Sequence, residues 1–314
     1  MNDATPRHLT GSPVAGSLVE RAAAMWDMHP PAYPPLPSDP VAVAPPPVAT
    51  PTAFGTVVAP PAPRIQRAIG PRAVVPIDRR MLKDQGMILP GAAVTALAEE
   101  FRQIKRNLLL TAREVPADKG RTILVCSARP NDGKTFCAIN LAISLAAEKD
   151  VEILLVDADF AKPDVLAAFD LEACGPGLLD AIADPSIDVE SCIVDTDIPQ
   201  LAILSAGAKS HDDTELLASS AAATVLKRLA TANPNRIVVF DSPPALAASP
   251  AAVLAGHVGQ VMLVVRADAT SESDLRDAVA LLDGCDHVQL VLNAVAFQPG
   301  GRRFGSYYGQ EATE

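Results

Sequence analysis

The chain has 314 residues, 49% of them hydrophobic and 20% charged, with a formal net charge of −11. That length allows one large domain or two small ones, and the acidic balance argues against a protein that grips nucleic acid by neutralising its phosphates. Five cysteines (Cys126, Cys137, Cys174, Cys192 and Cys285) lack C-x-x-C spacing, as expected of reduced thiols serving as small core residues in a cytoplasmic protein.

Residues 1–90 hold 18 of the 29 prolines, and 8 Lys+Arg against 6 Asp+Glu. Segments such as HPPAYPPLPSDP cannot sustain a helix or a central strand, so a disordered Pro/Ala-rich region is expected over 1–90. The stretch 18–28, LVERAAAMWDM, can form a short helix, either a docking peptide or, as the reading preferred here, a transient helix without a role. The remaining chain carries 18 Lys+Arg against 31 Asp+Glu. No charged leader opens the chain and no apolar run reaches about 18 residues, so a soluble protein is expected, one that reaches a membrane only through a partner.

From 95 to 112 the sequence predicts an amphipathic helix with Leu97, Phe101, Ile104 and Leu108 on its apolar stripe and Glu99, Arg102, Lys105 and Arg106 on another face. Strand and helix patterns then alternate. Strands are expected at 122–127, 152–157, 201–205, 236–241, 260–266 and 288–294, and helices at 134–148, 163–170, 176–183, 214–231, 249–256 and 271–283. Nearly continuous apolar strands belong in a parallel sheet covered on both faces. The fold class is therefore α/β: a P-loop, doubly wound, mostly parallel sheet with flanking helices over 91–298, whose ligand sits at the C-terminal strand ends.

The stretch TILVCSARPNDGKTFCAINL (122–141) carries the strongest chemical signal. A strand breaks into a turn that closes on Gly133-Lys134-Thr135 at a helix start, where unpaired N–H groups and the positive dipole end favour an anion. Pro130, Asn131, Asp132, Gly133, Lys134, Thr135 and Phe136 form the expected ATP-binding segment, with Lys134 reaching the β- and γ-phosphates and Thr135 holding Mg²⁺. Ala128 stands where G-x-x-x-x-G-K-[ST] has its first glycine.

Two further strands end in carboxylates. EILLVDAD supplies Asp157 and Asp159, and RIVVFDSPP supplies Asp241. Such residues are often turn formers or N-caps, but three of them share one sheet edge with Lys134. Asp159 and Asp241 are expected to hold the metal or its waters, and Asp157 to orient or deprotonate an attacking hydroxyl; the sequence leaves the roles of Asp157 and Asp159 exchangeable. Asn293, ending the last apolar run, is a candidate for the adenine edge or a plain turn residue. Residues 299–314 read as a flexible tail with adjacent Tyr307 and Tyr308, within reach of an active site on the same chain or a neighbour's.

Together these residues resemble the bacterial tyrosine kinases of exopolysaccharide systems, over about residues 95–310. ARPNDGKT is similar to the family's modified Walker A, ILLVDAD to its Walker A′ and VVFDSPP to its Walker B; TELL and LSAG echo other landmarks. The wording is most similar to cytoplasmic tyrosine autokinases encoded with exosortase-linked polysaccharide loci. The resemblance implies ATP- and Mg²⁺-dependent autophosphorylation of Tyr307 and Tyr308 in trans, and control of polysaccharide polymerisation and export. It also implies a membrane chain-length-determinant (polysaccharide co-polymerase) activator, a tyrosine phosphatase as a further partner, and a location peripheral to the inner membrane. EEFRQIK resembles the E-x-x-R-x-x-R helix that joins subunits into a ring, which implies an oligomer interface at Glu99, Arg102 and Lys105. Lys105 stands for the motif's last arginine, Asn131 for the loop's usual second glycine, and Ala161 for the arginine after the A′ strand.

Two other readings stand beside it. A partitioning or positioning ATPase of the related deviant-Walker class would carry a signature lysine where this chain has Arg129, and a basic or membrane-seeking face that is not visible here. A non-catalytic nucleotide-sensing scaffold would use the same loop without transferring phosphate.

Overall fold

The computed structural model describes residues 72–116, 119–172, 175–209 and 212–295. Of the two units into which the chain divides, Met1–Arg64 and Ile65–Glu314, all described residues fall in the second. The helix expected at 18–28, Cys174 and the tail at 299–314 lie outside the described residues.

Eight strands form one sheet in the order β1-β4-β5-β3-β6-β2-β7-β8. They are β1 (Val74–Val75), β2 (Thr122–Ser127), β3 (Glu152–Asp157), β4 (Val194–Thr196), β5 (Leu201–Leu204), β6 (Arg236–Asp241), β7 (Gln260–Arg266) and β8 (Val288–Asn293). All pairings are parallel except β4 with β5. The helices are α1 (Arg79–Asp84), α2 (Ala96–Thr111), α3 (Lys134–Ala146), α4 (Val165–Ala168), α5 (Leu178–Ala183), α6 (Asp213–Leu217), α7 (Ser220–Thr231), α8 (Pro250–Ala255) and α9 (Glu272–Leu281).

The strands' period-2 geometry splits each apolar run between two cores. Ile123, Val125, Ile153, Leu155, Ile237 and Val239 face α1 to α4. Leu124, Cys126, Leu154, Val156, Val238 and Phe240 face α5 to α9. Every residue of β2, β3 and β6 is buried, which explains their continuous apolar sequences. The four described cysteines are buried and unpaired, as core residues should be.

Three expectations need correction. First, residues 72–90 are not extended chain. β1 joins the sheet, Asp78 caps α1 by accepting from the Arg80 and Met81 amides, and Ile77 and Leu82 are buried. Burying side chains of this kind contributes about 1.5–3 kcal/mol each, more than so short a segment shows in its periodicity. Second, the helix expected over 214–231 is two helices. Ser219 breaks it, with its hydroxyl bonded to the Leu216 carbonyl and accepting from the Ala222 amide as the N-cap of α7. Third, β8 is only partly covered on its second face. Val291 packs against the α3-side core and Val288 against the other, while Leu290 and Leu292 stay exposed. Among the described residues no helix is long and apolar enough to cross a membrane.

Candidate active site

The turn between β2 and α3 has a shape that only certain residues allow. Gly133 has φ +97°, and a Cβ there would meet the Asn293 side-chain nitrogen at 2.1 Å. Asn131, where the family pattern expects glycine, adopts φ +68°, a left-handed conformation that asparagine tolerates. Carbonyls along the turn are occupied from outside it. Ser127 Oγ donates to the Arg129 carbonyl (2.8 Å), an Arg266 guanidinium nitrogen to that of Asn131 (2.7 Å) and Asn293 Nδ2 to that of Asp132 (2.9 Å). Buried Asp132 closes the turn by accepting from the Arg129 amide (3.1 Å). The amides of residues 131–135 have no acceptor within the described fold. A rigid cradle of donors therefore stands at the start of α3, ready for phosphate oxygens.

Lys134 projects from this cradle to Asp159, Nζ to Oδ2 at 2.7 Å, with both side chains largely buried. Burial alone would depress the lysine pKa, but Asp241, Asp159 and Asp157 together hold it above its usual value. Asp157 and Asp241 sit side by side at the ends of β3 and β6. Both oxygens of Asp157 are engaged, Oδ1 by the Asp159 amide (3.2 Å) and Oδ2 by the Val165 amide (3.0 Å). Burial, then the charge of Asp241, pushes its carboxyl up to about 7.

Asp241 differs. It is fully buried and neither oxygen has a hydrogen-bond partner of normal geometry. Burial pushes its pKa up to about 7 against the lowering influence of Lys134 and the nearby Thr135 hydroxyl. An orphaned carboxylate of this kind is costly unless something binds it. Among the described residues no group of three or more His, Cys, Asp or Glu forms a metal cage. Mg²⁺ does not need one: it commonly takes one or two carboxylates, a hydroxyl and substrate phosphates, and Asp241 with Thr135 and Asp159 fits that donor set.

The structure thus brings Asn131 to Phe136, Asp157, Asp159, Asp241 and Asn293 to one end of the sheet, with Pro130 exposed on the turn. Asn293 is occupied in holding the turn, a use that the adenine-edge expectation did not include. Arg266 and Asn140 were missed. Asn140 is buried in α3, accepts from the Ile88 amide (2.8 Å) and donates to the Phe136 carbonyl (2.8 Å), tying the N-terminal strap to the lysine-bearing helix. A polar residue inside an otherwise apolar helix was its only local signal. Tyr307 and Tyr308 lie outside the described residues. On α2, Glu99 and Arg102 pair with each other, and Lys105 is bonded to the Ser144 carbonyl (2.8 Å) and Glu148 (2.7 Å) of its own subunit.

The profile of the AAA domain family matches residues 120–282. Among curated proteins the chain is 28% identical over 219 residues to the putative tyrosine-protein kinase CapB of Staphylococcus aureus, covering 69% of this chain and 92% of that one. It is 29% identical over 190 residues to the tyrosine-protein kinase YwqD of Bacillus subtilis, covering 60% and 76%. It is 22% identical over 234 residues to the tyrosine-protein kinase wzc of Salmonella typhimurium, covering 73% of this chain but 31% of that longer protein. The kinase domain of the Escherichia coli tyrosine kinase ETK shares the fold with TM-score 0.56 and 20% identity, covering 72% of this chain and 93% of that one. The chimerical protein CapA2B2 does so with TM-score 0.55 and 24% identity, covering 68% and 98%.

Proposed function

This chain belongs to the AAA domain family and is related to bacterial tyrosine kinases, and from that premise we propose that it is an ATP-dependent protein-tyrosine autokinase. Its acceptors are Tyr307 and Tyr308, reached in trans from a second copy. The observation that carries the reading is the buried, unpartnered Asp241 beside Lys134 and Thr135.

The turn amides bind the phosphates, and Lys134 exchanges Asp159 for the β- and γ-oxygens. Thr135 and Asp241 would hold Mg²⁺, with Asp159, released from the lysine, as a third anchor, and the ion would supply neutralisation of the negative charge that develops on transfer. Asp157, held by two amides and ionising near neutrality, takes the proton from the tyrosine hydroxyl. The phenolic oxygen then bonds to the γ-phosphorus as the bond to ADP breaks.

The resemblance to the bacterial tyrosine kinases of exopolysaccharide systems supports a role in regulating polysaccharide export together with a membrane co-polymerase partner. The test is incubation of the full chain with Mg²⁺-ATP and phosphate mapping by mass spectrometry, beside Lys134→Met and Tyr307→Phe/Tyr308→Phe chains. Phosphate on the two tyrosines that disappears with Lys134→Met is the expected result. Hydrolysis without protein phosphorylation would favour the deviant-Walker switch, and phosphate on the Lys134→Met chain alone would mean a contaminating kinase.

A further inference from the structure

The turn before α3 is held from one side by two side chains that share one place in the sheet. Arg266 ends β7 and Asn293 ends β8, and the two residues are register partners. The Ala267 amide donates to the Asn293 carbonyl (2.9 Å), lacing the strand ends together. From this anchor an Arg266 guanidinium nitrogen donates to the Asn131 carbonyl (2.7 Å), and Asn293 Nδ2 to the next carbonyl, that of Asp132 (2.9 Å). The Arg266 backbone is itself pinned. Its amide donates to Thr270 Oγ1 (3.0 Å), and its carbonyl accepts from the Thr270 amide (3.0 Å).

Peptide geometry carries these two bonds to the opposite side of the turn. A trans peptide is planar, so its C=O and the N–H that follows point in opposite directions. Holding the Asn131 carbonyl toward Arg266 turns the Asp132 amide away from it. Holding the Asp132 carbonyl toward Asn293 does the same for the Gly133 amide. Neither amide has an acceptor among the described residues. Both are aimed by side chains 135 and 161 positions along the chain. Asn131 makes the first bond the critical one. Its φ of +68° lies in the left-handed region, which an asparagine occupies at a cost that glycine escapes. A bond from a guanidinium to a carbonyl is charge-assisted and stronger than one between neutral groups. Arg266 places such a bond on the one non-glycine residue of the turn with positive φ.

Resting on the nucleotide site of the kinase reading above, we infer that Arg266 is a positioning residue for phosphate binding. It holds Asn131 left-handed and so keeps the Asp132 amide directed at the nucleotide, while Asn293 does the same for the Gly133 amide. Arg266 need not touch the nucleotide, because it acts through the peptide between Asn131 and Asp132. An arginine at the end of β7 thus restores what a glycine at position 131 would supply unaided.

The test measures dissociation constants for Mg²⁺-ADP and Mg²⁺-ATP by calorimetry on the full chain. The parent is compared with Arg266→Met, Asn131→Gly and the chain carrying both. Arg266→Met is expected to weaken both nucleotides at least about tenfold, because the amides it releases face phosphates common to the two. Its nucleotide-free melting temperature should stay within about 2 °C of the parent's, since the side chain is exposed. In the Asn131→Gly background the same substitution should cost less than about threefold, because glycine reaches positive φ without help. Arg276→Met, which removes another exposed arginine from α9, should bind like the parent. Parent-like affinity in Arg266→Met would overturn the inference. An equal loss in both backgrounds would also overturn it, and would mean that Arg266 acts by its charge alone. The expected losses in a chain that forms no phosphotyrosine would remove the kinase reading and leave the clamp standing. A parent chain that binds neither nucleotide would remove both.

Discussion

β3 and β6 carry buried charges at both ends, and the two ends are solved in opposite ways. At their N-terminal ends, Arg236 donates to both Glu190 and Glu152, and Arg72 reaches the same two glutamates and Asp195. Asn233 adds a bond to Glu152, whose pKa burial would raise but which Arg236 and Arg72 hold low. Among the described residues, the buried polar atoms without a partner there are the two arginine Nε atoms. At the C-terminal ends, three carboxylates share one lysine, and neither Asp241 oxygen has a hydrogen bond of normal geometry among the described residues. Buried charge that is answered within the fold is structural. Buried charge left unanswered marks where a ligand completes the molecule.

The contrast is broken most severely at the paired end. Arg236→Met strands Glu190 and Glu152 without their main partner and should cost about 3–5 kcal/mol in urea unfolding, as breaking a buried pair generally does. At the unpaired end the sign reverses. Asp241→Asn removes a buried uncompensated charge, so the nucleotide-free protein should melt higher at pH 8. The same change should lower phosphotransfer by about 10²–10³-fold, the loss typical of removing one electrostatic stabiliser. A melting temperature that falls while transfer survives would contradict the assignment of Asp241.

Acidity sharpens the comparison. Asp157 and Asp241 ionise near 7 when folded and near 4 when unfolded, so between these values the folded state binds more protons. Stability without nucleotide should therefore fall as pH rises from about 5 toward 7 and level off above. Glu152, with a lowered pKa, acts oppositely and only in more acidic solution. Mg²⁺-ATP needs the ionised carboxylates, so its affinity should rise across the same window, measured by calorimetry with proton release. Smallest is the effect on α2. Lys105→Met loses the bonds to Ser144 and Glu148 and should cost about 0.5–1.5 kcal/mol. A change in oligomeric state without that loss, read by light scattering, would support the expected subunit interface at Lys105.

Sequence alone determined whatever depended on near neighbours. Continuous apolar runs located β2, β3, β5, β6 and β7, because a strand buried on both faces admits little else, and located β8 although its Leu290 and Leu292 stay exposed. Gly133-Lys134-Thr135 after such a strand located the turn whose free amides we propose for phosphate, and strand-end position gathered Asp157, Asp159 and Asp241. Ser219 and Asp78 were readable caps that the longer patterns overrode. Tertiary structure decided everything whose partner lies far along the chain. Arg72 finds Glu190 118 positions away, and Asn293 finds the Asp132 carbonyl 161 positions away. It decided that residues 72–90 join the sheet, that Lys105 turns inward, and that Asp157 is held by two amides while Asp241 is left bare. The reason is physical: local periodicity reports which face a residue turns to the core, but whether a buried charge is answered depends on what the rest of the chain brings beside it.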